Sequence, residues 1–226
     1  MGRRRAVLCR HAARLHRCRV RLNPGVPSGI SWSNAHRREP IETARDRSLV
    51  DRARHGDLDA FEEIVHARID AIYRLSFAIV GDDADARDAT QETFVAAWRR
   101  IRSLRDPDRF DAWLQRIAVN AARMTLRARG RRRVREIPSG DVGALAVVAD
   151  RGAVEPSERS DAELLGVALD RLPVDQRTIL VLHHLEGRGV AELAEILEIP
   201  VGTVKSRLYT ARRALEAALA AEGRIR

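Results

Sequence analysis

From Asp59 onward the apolar residues recur at helical rather than alternating spacing. Phe61, Ile64, Val65, Ile69, Ile72, Leu75 and Ile79 mark one face of a helix that ends at Gly81, and Asp59 with Glu62 forms a capping-box-like start. A second helix opens among Asp82–Asp85, where carboxylates favour a helix N-terminus, and carries Ala89, Phe94, Ala97, Trp98 and Ile101 inward. After a turn at Pro107, a third stripe runs through Phe110, Trp113, Leu114, Ile117, Ala121 and Met124 and is expected to stop near Gly130 and the arginine run Arg131–Arg133. These segments predict a three-helix domain.

The helical period is lost over 134–160, where Gly, Pro and Ser collect, which predicts a flexible linker between independent domains. Shorter helices are then expected over Asp161–Leu172, Val174–Leu185, Val190–Leu197 and Pro200–Ala221. No segment alternates with period two, so the expected fold class is all-α, with two small helical domains over 47–133 and 161–222.

Charge refines this division. Residues 1–40 hold ten Arg and one acid, a balance of +9 that accounts for the whole net charge of the 226-residue chain; the remaining 31 basic and 31 acidic residues cancel. This Arg-rich, acid-poor extension, placed at 1–46, is expected to be disordered. Its Cys9, His11, His16 and Cys18 could be written as a zinc set, and its composition resembles an organelle leader, but a plain flexible tail is preferred over both. Both cysteines lie there, which excludes a disulfide framework for the body, and no uncharged run approaches the ~18–20 apolar residues of a membrane helix. Within the body, Gly81–Glu92 holds five acids against Arg87, whereas Ala112–Arg135 holds eight Arg and no acid, a segregation that suggests two different partner surfaces.

The strongest local signal is VAELAEILEIPVGTVKSRLYTARRAL, a short helix, tight turn and longer helix opened by Pro200, the spacing of a helix-turn-helix. Val201, Val204, Leu208, Ala211 and Leu215 form its inward stripe, leaving Thr203, Lys205, Ser206, Arg207, Thr210, Arg212 and Arg213 to face a major groove. On the third helix, Arg116, Asn120, Arg123 and Arg127 step by four, three and four residues, a basic rail with one amide suited to a nucleic-acid backbone and its bases. The preceding loop, Ser103–Phe110 with Arg105 and Asp106, could hold an unstacked base against Phe110. Asp88, Gln91, Glu92 and Val95 form a face suited to a basic partner. Asp82, Asp83, Asp85 and Asp88 lack the ligand spacing and turn glycine of a calcium loop, and no catalytic motif is found, so neither metal, cofactor nor enzymatic activity is expected.

The blocks DARDATQETFVAAWRRI, RFDAWLQRIAVNAARMTLRARGRR, LDRLPVDQRTILVLHHLEG and AELAEILEIPVGTVKSRLYTARRAL, in this order across Arg47–Leu219, resemble an extracytoplasmic-function (ECF) sigma factor of bacterial RNA polymerase. The resemblance implies a region 2 over 47–133, a region 4 over 161–222 and no catalysis. It implies that Asp85, Asp88, Gln91, Glu92 and Val95 dock on the β′ clamp helices of core polymerase, and that the 161–187 helices help seat region 4 on the β flap. It further implies that Arg105, Asp106, Phe110, Arg116, Asn120, Arg123 and Arg127 capture the melted −10 strand, while Thr203, Lys205, Ser206, Arg207, Thr210 and Arg212 read the −35 duplex. A cytoplasmic location and control by an anti-sigma factor follow from the same resemblance. Thr210 stands where many relatives carry Arg, which puts the −35 sequence in doubt, and the shortage of aromatics near the rail implies a need for near-ideal promoters. A duplex-binding regulator, a metal-dependent helical enzyme and a non-catalytic adaptor are the competing readings; the first leaves the QETF and AWLQRIAVN blocks without a purpose.

Overall fold

In the first helical unit the hydrophobic stripes pack against one another as expected, with one helix more than the pattern predicts. The computed structural model describes residues 44–136 and 161–222. Among the described residues the elements are α1 (Ala44–Arg54), α2 (Leu58–Val80), α3 (Asp83–Arg100), α4 (Phe110–Glu136), α5 (Asp161–Asp170), α6 (Val174–Leu180), α7 (Val190–Leu197) and α8 (Val201–Ala221), with no strand. Single 3-10 turns, Ile101–Ser103 and Pro107–Arg109, join α3 to α4, and α6 continues as a π-helical turn over Val181–Leu185. The expected disordered extension, most of the expected linker and the Cys9, His11, His16, Cys18 set lie outside the described residues.

Helix α1 is the addition. It buries only Leu49, Val50 and Ala53 among eleven mostly charged residues, too short a stripe to stand out as a pattern. Ion pairs complete its seat: Arg68 of α2 reaches Asp111 at 3.0 Å and Asp46 at 3.5 Å, and Arg47 pairs with Asp108. The N-cap of α2 is Asp57, which accepts from the Ala60 amide at 3.1 Å, two residues ahead of the expected start. Asp82 caps α3 in the same manner, accepting from Asp85 N at 2.9 Å, so the early acids of this helix serve its N-terminus. The buried Thr90 and Thr93 are satisfied within α3 by the carbonyls of Ala86 and Ala89. Phe61 tilts against Trp98 at 5.0 Å between ring centres.

Helix α4 runs through Gly130 to Glu136 rather than stopping there; glycine costs a helix interior only about 1 kcal/mol relative to alanine. Its inward face also drifts. Ala118, Ala122, Leu126 and Arg129 turn toward the bundle, so Met124, expected in the stripe, is 67% exposed.

In the second unit α5, α6 and α7 pack on α8. Val201, also expected in a buried stripe, is exposed at the open first turn of α8, while Val204, Leu208 and Ala211 are buried.

The expected independence of the two units is overturned. Buried side chains form one continuous apolar cluster from Leu49 to Ala211, α4 packs on α7, and α2 packs on α6 and the π turn. Arg177, 5% exposed, caps the C-terminal end of α2, a helix with no basic residue in its last turn. Its guanidinium donates to the carbonyl oxygens of Ile79 at 2.9 Å and Asp170 at 2.8 Å and pairs with the Asp170 carboxylate at 3.0 Å. The approach is close enough to require Gly81. This residue ends α2 at φ 75°, and a Cβ there would lie 2.7 Å from Asp170 Oδ1.

Candidate nucleic-acid interface

The helix-turn-helix is built on α7 and α8. Glu192 accepts from the Gly189 amide at 2.8 Å, closing the α7 N-terminus, and Leu193 and Ile196 anchor the helix in the core. Glu198 then adopts the left-handed conformation (φ 55°, ψ 43°), donating its amide to Ala194 O; among the described residues it alone does so without being glycine. Pro200 follows and α8 begins, with Val204 N donating to Pro200 O at 3.0 Å. The local sequence thus sets the angle at which α8 leaves the core.

Lys205, Ser206, Arg207, Thr210 and Arg212 are exposed on α8, and Thr203 is half-buried. Two hydroxyls are partly committed to the helix: Ser206 donates to Thr203 O at 3.0 Å and Thr210 to Ser206 O at 3.1 Å. Tyr209, which the pattern of charged and small polar residues did not single out, is 65% exposed beside Lys205 and Ser206. An aromatic outside the inward stripe of a helix whose outer arc is otherwise polar is the signal that identifies it. His184 is held below the ordinary histidine range by burial, with His183 and Arg212 pushing the same way, so the neutral ring predominates near pH 7.

The α4 rail divides in two. Asn120 and Arg127 are exposed, whereas Arg116 and Arg123 are half-buried and bridge to the second unit, Arg116 to Glu198 at 2.8 Å and Arg123 to Asp175 at 2.9 Å. Met124 completes the exposed stripe between Asn120 and Arg127. In the loop before α4, Arg105 is exposed, and Asp106 caps the Pro107–Arg109 turn by accepting from Asp108 N at 3.0 Å. Phe110 requires correction. It is 1% exposed, seated at the start of α4 with its ring 5.7 Å from that of Trp113, and in this position no base can stack on it. Loop composition suggested accessibility, but the chain turns inward at this residue.

The acidic face of α3 is similarly refined. Asp88, Gln91 and Glu92 are exposed and Val95 is half-buried. Asp85 points to α4 instead, pairing with Arg129 at 3.0 Å with both side chains about four-fifths covered (22% and 20% exposed), so it is a tie within the bundle. Asp83 accepts from Tyr73 and Arg87. Burial, reinforced by that bond to Asp83, pushes the Tyr73 hydroxyl up to about 12. No described helix is long and apolar enough to cross a membrane.

The described residues thus form two helical units, one presenting the exposed polar arc of α8 and the other the basic, amide-bearing helix α4. Residues 64–132 match the family model for sigma-70 region 2, and residues 162–215 match that for sigma-70, region 4. The chain is 35% identical over 185 residues to the RNA polymerase sigma-H factor of Pseudomonas aeruginosa, covering 77% of this chain and 94% of the relative. It is 36% identical over 184 residues to the ECF RNA polymerase sigma-E factor of Haemophilus influenzae, covering 77% and 95%. Among solved structures it is similar to CnrH in complex with the cytosolic domain of CnrY (TM-score 0.57, 29% identity, 78% of this chain and 98% of that one). It is also similar to the sigma factor RpoE in complex with the anti-sigma factor NepR from Bartonella quintana (TM-score 0.55, 25% identity, 70% and 96%). The chain belongs to the ECF family of RNA polymerase sigma factors.

Proposed function

We propose that this protein binds core RNA polymerase in the cytoplasm, directs it to promoters through their −35 and −10 elements, and promotes melting of the −10 DNA. The observation that supports the reading is the presence of two chemically distinct exposed polar surfaces on one chain: the arc of α8 and the Asn120–Arg127 stripe of α4. A helix offering Lys205, Ser206, Arg207, Tyr209, Thr210 and Arg212 suits duplex major-groove edges and phosphates. Tyr209 adds an apolar surface for a thymine methyl, so Tyr209→Ala is expected to shift base preference within the −35 element, read by selection from a randomised duplex library.

The α4 stripe suits a strand whose bases have left the stack, with Asn120 placed to hydrogen-bond a base edge and the arginines to follow the backbone. Melting is then driven by differential binding: a surface that holds the single strand stabilises the open state over the closed one. The exposed Asp88, Gln91 and Glu92 of α3 supply the face for the basic clamp helices of β′, and the helices of the second unit seat it on the β flap. The similarity to sigma factors solved with protein partners supports control of this chain by an anti-sigma protein. No step requires a cofactor.

Asn120→Ala or Arg123→Ala tests the division of labour. Each is expected to slow open-complex formation on the order of tenfold, the cost of one lost base or backbone contact of about 1.4 kcal/mol, while −35 binding persists. Permanganate reactivity of the melted strand and footprinting of the −35 duplex read the two steps separately. Equal loss of both steps would contradict the assignment.

A further inference from the structure

The loop between α3 and α4 keeps only part of the role its composition suggests. With Leu104 and Phe110 buried in the core, the side chains exposed at its centre are Ser103, Arg105 and Asp106. Fixing even one residue of such a connection at the moment of strand capture would weaken binding by about fivefold or more. In this loop the ordering is already done. Ser103 Oγ donates to Arg100 O at 2.7 Å and Leu104 N to Ile101 O at 3.1 Å. Asp106 closes the following turn, its carboxylate accepting from Asp108 N at 3.0 Å and its carbonyl from Arg109 N at 3.1 Å.

These bonds shape the two turns, and α1 fixes where they stand. At the far end of the loop Arg47 grips Asp108 with a fork, Nε donating to Oδ1 at 2.8 Å and Nη2 to Oδ2. At the near end the chain leaving α1 closes on Arg102: Gly56 stands at φ 97°, and a Cβ there would lie 3.1 Å from Arg102 Nη2. Behind the loop Arg68, 18% exposed, joins Asp46 of α1 to Asp111 in the first turn of α4. Arg52 ties the last turn of α1 to Asp57, the cap of α2, at 2.7 Å. A helix that buries only Leu49, Val50 and Ala53 thus directs its charged side chains onto the frame of this one loop.

We propose that α1 is a brace for the strand-binding site. It holds the Ser103–Arg109 loop in the shape that presents Arg105 and Asp106 to an unstacked −10 base, and Arg47 and Asp108 are positioning residues that act through the loop without touching the strand. This inference rests on the reading of α4 and the loop ahead of it as the −10 strand site. A loop released from α1 occupies the competent shape for only a fraction of the time, and affinity for the strand falls by that fraction.

The test uses the full-length chain assembled with bacterial core polymerase, on a promoter that the unaltered protein opens. Arg47→Ala is expected to slow open-complex formation about fivefold, the upper range for an exposed bidentate pair, read by permanganate reactivity, with the −35 footprint unchanged. Both side chains are half exposed (58% and 49%) and α1 keeps its ties through Arg68 and Arg52, so the melting temperature should be preserved. Asp108→Ala is the decisive variant. It removes an acid from beside the strand site, which by charge alone would strengthen DNA binding, yet it should slow opening as much as Arg47→Ala does. The double variant should be no slower than either single one, because both remove the same tie. Unaltered opening in either single variant, faster opening with Asp108→Ala, or losses that multiply in the double variant would overturn the brace; slowed opening with Arg47→Ala beside faster opening with Asp108→Ala would place Arg47 on the DNA backbone instead. Asn120→Ala separates this inference from the reading beneath it. Slowed opening with Asn120→Ala beside unaltered opening in the Arg47 and Asp108 variants discards the brace alone, whereas unaltered opening with Asn120→Ala removes the strand site and the brace with it.

Discussion

Replacing Lys205 and Arg207 together by alanine is expected to weaken binding of the polymerase complex to −35 duplex by about 2–4 kcal/mol, roughly 30- to 1000-fold. Both side chains are exposed on α8, and the helix is fixed by Val204, Leu208 and Ala211, which face the opposite way. The substitutions remove charge without touching the core, so thermal stability should be preserved. Two lost phosphate contacts should also flatten the dependence of log affinity on log salt by about 2. Duplex titrations at several salt concentrations check both numbers at once. An affinity loss without a change in slope would place these side chains outside the phosphate-contacting set. Docking on core polymerase, assigned to α3, should be unchanged in the same preparations.

Phe110→Ala is expected to destabilise the fold by about 3–5 kcal/mol, the usual cost of emptying an aromatic site in a packed core. Phe110 is the largest of the fully buried side chains and lies at the junction of the Pro107–Arg109 turn with α4. The melting temperature should fall by on the order of 10 °C, and Phe110→Leu should recover most of the loss. Opening activity would then track the folded fraction and return on cooling. A stacking role would give the reverse pattern, with stability kept and promoter opening lost at every temperature. Thermal melts of the variants beside permanganate assays distinguish the two.

The contrast between these predictions shows which parts of the molecule are legible in a linear pattern. The helices of both units follow from apolar spacing because each must bury a stripe, and the helix-turn-helix follows from Pro200 and the short α7 ahead of it. Where several residues could do the same job, the pattern is ambiguous: Asp57 and Asp59 can each cap α2, and the structure uses the first. Met124 and Val201 lie at stripe positions yet face solvent, because a stripe is buried only where another helix covers it. Phe110 shows the opposite error, a core residue hidden by polar loop neighbours.

The packing between the units was the least legible feature. Beside the shared apolar cluster, it is carried by Arg177, Gln115, Arg188 and Arg116, residue types that read as solvated surface until their partners are known. Nothing in hydrophobic period reports a guanidinium capping a helix end in another unit, and α1 was missed for a related reason, since ion pairs contribute much of its seat. On the site itself, the exposed arc of α8 and the steps of the α4 rail were both readable. The pairing of half that rail with acids, and the inward turn of Asp85 to Arg129, required the tertiary structure.

The central claim, that this chain confers promoter specificity on RNA polymerase, is tested most directly by run-off transcription. Purified bacterial core polymerase is supplied with a library of genomic fragments, with and without the protein. The account predicts discrete transcripts that appear only on its addition and whose start sites share one pair of −35 and −10 sequences. Absence of such transcripts, together with failure of the protein to co-purify with core polymerase, would contradict it.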